Sequence, residues 1–340
     1  MTKASDVFTL KNSNKVEVTF IARGGQVTSI KVPDSAGEIA DVVIGYETVE
    51  GALAGDGYFG ALCGRYANRV VNGQFEIDGT AYQLDCNNDK NHLHGGADGF
   101  NSRIWEVEPI TLEKFEQAYK LSLVSEDGDQ KYPGQLKVDV IYGLTKSNEF
   151  VIEYAAETSK PTIINLTSHA YFNLKGARTG TIENHELQIN AAQYTPISAE
   201  IGTVTGEIVP VAGTAMDFVE AKSIGSALSA NDSQVKLVDG IDHNFVIDGH
   251  DGMIRLAAVL SDPDSGRKLE VYTDQPGVQI YTGSHFDGSE TGKLNAPIEK
   301  WAGVALETQI FPDSPNKAHF PNAVLRPGEV YKHTCVYKFS

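Results

Sequence analysis

The stretch IINLTSHAYFNL (163–174) is β-rich and largely apolar, yet it carries a histidine at its centre. Alternate side chains of a strand point to opposite faces. Ile164, Leu166, Ser168, Ala170, Phe172 and Leu174 would share one face and suit a core; Ile163, Asn165, Thr167, His169, Tyr171 and Asn173 would share the other. A face meeting bulk water ordinarily carries Lys, Glu and Thr. Amide, hydroxyl, imidazole and phenol groups in one row suit a polar ligand better. Alone, His169 reads first as a strand histidine that is solvated or satisfied by a neighbour, so its chemistry depends on what else the chain supplies. A base candidate lies in GVALETQIF (303–311). There Glu307 shares a face with Ala305, Gln309 and Phe311, opposite Val304, Leu306, Thr308 and Ile310. Partial burial at that position would raise the carboxyl pKa towards neutrality, where a general base works best.

Further polar groups are scattered along the chain. NHLHGG (91–96) holds His92 and His94 at strand spacing, which predicts a shared face, and Gly95-Gly96 permits a sharp turn or close approach to a ligand. The H-x-H pair has two readings: two ligands of a cupin-like metal site, or one imidazole that donates a hydrogen bond to substrate. A metal site needs three or four ligands with further support, and H-x-H alone is a weak signal. In GIDHNFVI (240–247) Asp242 stands at the entry to an apolar strand, where it either caps its own turn or accepts hydroxyl hydrogen bonds. In GVQIYTG (277–283) Gln279 and Tyr281 face one way; the amide offers a donor and an acceptor, as hydroxyl recognition requires. GRYANRV (64–70) brings Asn68 and Arg69 together, the latter able to grip sugar oxygens or form a surface ion pair. Together these are neutral hydrogen-bonders, one base candidate and one acid candidate: a kit for a polyol.

The elements that must position them are strands. RVVNGQFEIDGTAYQL (69–84) predicts a meander turning at Asn72-Gly73 and Asp78-Gly79, both type I′ signals. Strand runs recur at 120–126, 136–144, 149–157, 185–190, 255–262, 268–274, 277–283, 303–311 and 330–339, and the best helical signal is VEAKSIGSALSA (219–230). With 33 glycines punctuating the strands, the expectation is an all-β fold, a large antiparallel β-sandwich with few short helices, in one domain spanning 1–340. The net charge of −17 argues against nucleic acid or an anionic membrane as partner and mildly against a phosphorylated substrate. No apolar run approaches the roughly 18–20 residues needed to cross a bilayer. Three widely spaced cysteines, Cys63, Cys86 and Cys335, and a start without a signal-peptide pattern predict a cytoplasmic protein with reduced thiols.

The ordered set GRYANRV, LHGG…GFNSRIW, TSHAYFNL, GIDHNF, QPGVQIYTG and LETQIFPDSPN resembles the aldose 1-epimerase (galactose mutarotase) family over nearly the whole chain. The resemblance implies a galactose mutarotase-like supersandwich that interconverts α and β anomers of free aldohexoses, galactose and glucose among them, without metal or organic cofactor. Carried over by motif, Glu307 is the general base, His169 the general acid and His94 an aid at the ring or anomeric oxygens. Asn68, Arg69, Asp242 and Gln279 hold substrate hydroxyls. A monosaccharide is the expected partner, and the protein a monomer or homodimer. The charge chemistry needs an ionised Glu307 and a protonated His169 together, which predicts a partly buried glutamate beside a histidine of slightly raised pKa. Two departures surround the motifs: Ile310 follows LETQ, and Asp274 precedes QPGVQ.

Overall fold

The computed structural model describes residues 1–55, 57–177 and 180–340. Its largest sheet has nine antiparallel strands in the order Glu106–Ile110, Gln117–Ser125, Leu136–Leu144, Glu149–Thr158, Tyr331–Phe339, Lys268–Thr273, Arg255–Ser261, Glu186–Ile189 and Lys222–Ser223. A six-stranded sheet follows the order Tyr171–Phe172, Val304–Gln309, Gly277–Tyr281, Asp242–Val246, Gln193–Thr195 and Val209–Pro210. A four-stranded sheet covers residues 7–41. The long strands fall where alternation predicted them; 136–144 agrees at both ends. The fold is a β-sandwich, as expected.

The sandwich core forms where the two large sheets present their apolar alternates. Val304 and Leu306 on one side meet Tyr337 and Phe339 on the other in a single buried cluster. Tyr337 Oη donates to the Leu306 carbonyl at 3.0 Å, and Thr308 Oγ1 lies 2.8 Å from His333 Nε2. One face of the Val304–Gln309 strand is thereby clamped to the nine-stranded sheet. Its other face, carrying Glu307, is turned to the outer side of the sandwich.

Two local expectations change. Asp78-Gly79 does turn a hairpin between Gln74–Ile77 and Thr80–Gln83, with both turn residues at positive φ (52° and 80°). Asn72-Gly73 instead ends a 3₁₀ turn, and Arg69–Val70 pairs with His92–Leu93. The 69–84 meander is therefore one hairpin plus a strand that leaves for a distant partner. Helices among the described residues are short: Val49–Ala54, Ile224–Leu228 and Ser233–Val238. The second lies inside the predicted 219–230 segment, capped by Ser223. None is long and apolar enough to cross a bilayer.

Arg65 anchors the segment that leads into Asn68 and Arg69. Its buried guanidinium donates to Ser125 Oγ and to the carbonyls of Ser125, Glu126, Pro133 and Gly134. Removing it would leave those buried acceptors unpaired, each such group costing about 1–3 kcal/mol. Arg65→Met is expected to lower the unfolding free energy by about 3 kcal/mol or more, read as a reduced urea midpoint. A loss below about 1 kcal/mol would contradict the anchoring role.

Candidate active site

Residues 162–174 do not form one strand with two faces. They form three two-residue strands, Thr162–Ile163, Thr167–Ser168 and Tyr171–Phe172, and both predicted faces are buried. The reason is a change of partner. Thr167–Ser168 pairs with Leu62–Cys63, and the His169 backbone continues that contact: its N–H donates to Ala61 O and its carbonyl accepts from Gly60 N–H, both at 2.9 Å. Two residues later Tyr171–Phe172 pairs with Val304–Ala305. His169 sits at the crossover, which carries its ring over the strand that bears Glu307. Gly60 has φ +67°, and a Cβ there would lie 2.0 Å from Val27 O, so only glycine makes the supporting turn.

Glu307 and His169 are 2% and 4% exposed. His169 Nε2 lies 3.5 Å from Glu307 Oε1. The His94 ring stands edge-on to that of His169, with centroids 5.1 Å apart. His94 and Asn68 are both left-handed (φ +50° and +65°) and lock each other: Asn68 N–H donates to His94 Nδ1 at 3.1 Å, and His94 N–H donates to Asn68 O at 3.2 Å. Non-glycine residues held in this region cluster at functional sites. A nitrogen that accepts a backbone N–H is unprotonated, so in neutral His94 the proton is on Nε2. Asn68 Oδ1 accepts from Arg69 N–H at 2.8 Å. The Arg69 guanidinium is held by Asn88 Oδ1 (3.0 Å to Nε) and by Asp242 Oδ2 (3.5 Å to Nη1). Gln279 Nε2 donates to Asp242 Oδ1 at 2.7 Å.

These groups wall a cavity of about 370 Å³. Six of the seven residues picked from the sequence line it: Asn68, Arg69, His94, His169, Asp242 and Glu307. Gln279 stands behind the wall, beside Glu307 in strand register, and reaches the cavity through Asp242. His92 departs from its expected face. The strand ends at Leu93, so His92 points into the core, donating from Nδ1 to Asp85 O and accepting from Tyr132 Oη, each at 2.7 Å. The H-x-H pair is therefore not a ligand pair. The three-ligand grouping found among the described residues is His94, His169 and Glu307. Its donor set fits a cation poorly, because the Asn68 N–H occupies Nδ1 of His94 and leaves Nε2 as a proton donor. Gly95 packs on the Gly64 carbonyl (1.7 Å from a built Cβ) and so serves backbone packing. Sequence reasoning passed over Tyr58, Asn88, His285, Phe286 and Glu290, which complete the wall from loops without periodicity. Ile310 and Asp274 lie elsewhere, the former packed in a separate cluster with Tyr66, the latter accepting from Thr334 N–H.

The aldose 1-epimerase family model matches residues 6–338. Galactose mutarotase from Bos taurus is 43% identical over 328 residues, covering 96% of this chain and 92% of that protein. Aldose 1-epimerase from Escherichia coli (strain K12) is 36% identical, covering 98% and 94%. The crystal structure of galactose 1-epimerase from Lactobacillus acidophilus NCFM superposes with a TM-score of 0.86 at 31% identity, covering 98% and 93%. The chain belongs to the aldose 1-epimerase family.

Electrostatics in this aldose 1-epimerase fold differ from the expectation of mutually charged partners. Burial pushes the Glu307 carboxyl well above its ordinary pKa; Asp242 adds to the rise and Arg69 opposes it. Burial lowers His169 to about 4, and His94 falls well below its ordinary value for the same reason, with His169 and Arg69 contributing. The histidine is thus lowered, not slightly raised. Desolvation disfavours both charges, and a contact of 3.5 Å does not offset it. Burial thus favours the form of the pair with its proton on Glu307 over the form with both groups charged.

A carboxyl whose pKa is higher folded than unfolded lends stability below its ordinary value of 4.5, and that stability is lost as pH rises above it. Glu307→Gln removes the ionisable group. Its Tm should rise relative to wild type, by a margin that widens from pH 5 to pH 8 in calorimetry. A margin independent of pH would contradict the raised pKa.

Proposed function

We propose that this protein interconverts the α and β anomers of free aldohexoses such as galactose and glucose, with residues 1–340 acting as one aldose 1-epimerase domain. The observation that carries the reading is a titratable pair, Glu307 and His169, set 3.5 Å apart in a cavity whose remaining wall is rich in hydroxyl-binding groups. The names of the relatives agree with it. Among the described lining residues Arg69 is the sole guanidinium or ammonium group, facing Asp242, Glu290 and Glu307. That balance disfavours a hexose phosphate. Three free cysteines agree with a cytoplasmic setting.

In the proposed mechanism Glu307 is the base and His169 the acid. Moving the shared proton from Glu307 to His169 creates the reactive form. Glu307 takes the anomeric hydroxyl proton while His169 protonates the ring oxygen, and the C1–O5 bond breaks to give the open aldehyde. Rotation about C1–C2 presents the other carbonyl face. Reclosure with reversed proton roles yields the second anomer and restores the pair. His94 Nε2–H donates to a substrate oxygen. Asn68 and the Arg69–Asp242 pair, braced by Asn88 and Gln279, hold hydroxyls and fix the ring over the carboxyl.

Polarimetry of freshly dissolved α-D-galactose and α-D-glucose tests the reading. Wild type should hasten the approach to an unchanged equilibrium rotation. Glu307→Gln and His169→Asn should each lose about 10²–10⁴-fold in kcat, with sugar binding largely kept in the first. Arg69→Ala should raise KM and lower kcat. Near wild-type turnover by Glu307→Gln would overturn the assignment of the base. The reactive form is a tautomer of the singly protonated pair, so the rate should be flat across neutral pH. It should fall below the His169 value of about 4, and again where alkali removes the proton from Glu307. A rate governed by one group of pKa near 6.5 would contradict a shared proton.

A further inference from the structure

His169 must carry a positive charge during turnover, in surroundings that burial makes hostile to it. Its hydrogen-bonding neighbours do not explain how. Glu307 is on one side at 3.5 Å, and His169 Nδ1 has no hydrogen-bond partner. Aromatic rings flank the imidazole instead. Tyr58 stacks on it with centroids 5.9 Å apart and planes at 22°, and Tyr171 lies 4.8 Å away at 37°. Both present a π system to the ring within the roughly 6 Å over which a cation is attracted to an aromatic face. Tyr171 is buried and fixed by Phe59 and Phe286 at 5.3 and 5.2 Å. Tyr58 is half-buried at the cavity wall and also packs on His94 at 4.7 Å. We propose that Tyr58 and Tyr171 clamp His169 between aromatic faces and stabilise the imidazolium formed during ring opening. Tyr58 is then a positioning residue for the acid. The inference rests on His169 being that acid.

The other groups that face His169 come from separate elements. Glu307 and Asp242 are carboxyls on two strands of the six-stranded sheet with Gly277–Tyr281 between them; Tyr281 is edge-on at 6.4 Å; His94 is edge-on at 5.1 Å, and the Arg69 guanidinium lines the same cavity. The carboxylates favour the imidazolium and Arg69 opposes it. Substitution at Tyr58 removes none of these charged groups, and His94, which also touches the Tyr58 ring, keeps its two hydrogen bonds to the Asn68 backbone.

Tyr58→Leu and Tyr58→Phe separate the possibilities. With a clamp, Tyr58→Leu lowers kcat by roughly 2- to 30-fold, the equivalent of one cation–π contact, with KM nearly unchanged, and Tyr58→Phe restores most of the rate. The titration of His169, followed by NMR of ¹³C-labelled histidine and assigned by its loss in His169→Asn, should move downward in Tyr58→Leu. Simple shielding predicts the opposite sign, because water admitted by the smaller side chain would raise the pKa. If the Leu variant unfolds in acid, Tyr58→Trp supplies the other arm, with an upward shift expected from its stronger π face. An upward shift in Tyr58→Leu, no shift in Tyr58→Trp, or equal rate losses in the Phe and Leu variants would overturn the clamp. Absence of sugar mutarotation in wild type would count against the proposed function instead, while the titration would still judge the clamp.

Discussion

The burial of Glu307 in the cavity wall, on the strand face turned away from the sandwich core, is the constraint on which the site depends. Burial disfavours the charged form of a carboxyl and of an imidazole alike, raising the pKa of the first and lowering that of the second. Here the same burial raises the Glu307 carboxyl and lowers His169, so separated charge within the pair is disfavoured. Separating charge within such a pair runs against both shifts, and the second half of the reaction, the reverse of the first, returns the pair to its starting form. The strand that carries Glu307 is held on its core face by Tyr337 and His333, so the carboxyl does not depend on loop order for its position.

The supporting groups follow from that constraint. His94 and Asn68 adopt left-handed backbone and lock one another, an arrangement that holds one imidazole in a single tautomer. Arg69 would be a lone cation in a cavity rimmed by carboxylates; Asp242 and Asn88 hold it, and Gln279 in turn holds Asp242. Arg69, Asp242 and His94 are thus each fixed by a second group on another element. The cavity wall is assembled from the six-stranded sheet, the 167–172 crossover, the Asn68–His94 lock and loops at 57–59 and 285–290.

Much of this was legible in the sequence. Period-two alternation placed the long strands and put Glu307 and Leu306 on opposite faces, because those strands pack one face on the core. Six site residues came together as the motifs implied. Alternation failed at 163–174, where the chain changes partners within a few residues and both faces are covered, a tertiary event with no local signature. It failed again at His94, where positive φ ends the strand and turns two histidines apart. Tyr58 and Asn88 were invisible for a different reason: they act from irregular loops whose course is set by Gly60 and by the hydrogen bonds of the Arg69 side chain. The sign of the His169 shift was misjudged because the pairing with Glu307 was weighed without the desolvation that accompanies it.

The protonation state of Glu307 in the unliganded protein tests the account most directly. Infrared difference spectra between wild type and Glu307→Gln at neutral pH read the carboxyl C=O stretch of that residue alone. A protonated-carboxyl band in the free protein, diminished when galactose saturates the site, is the predicted result. A carboxylate band in the free protein, unmoved by sugar, would show that burial does not govern the pair and would contradict the shared-proton mechanism.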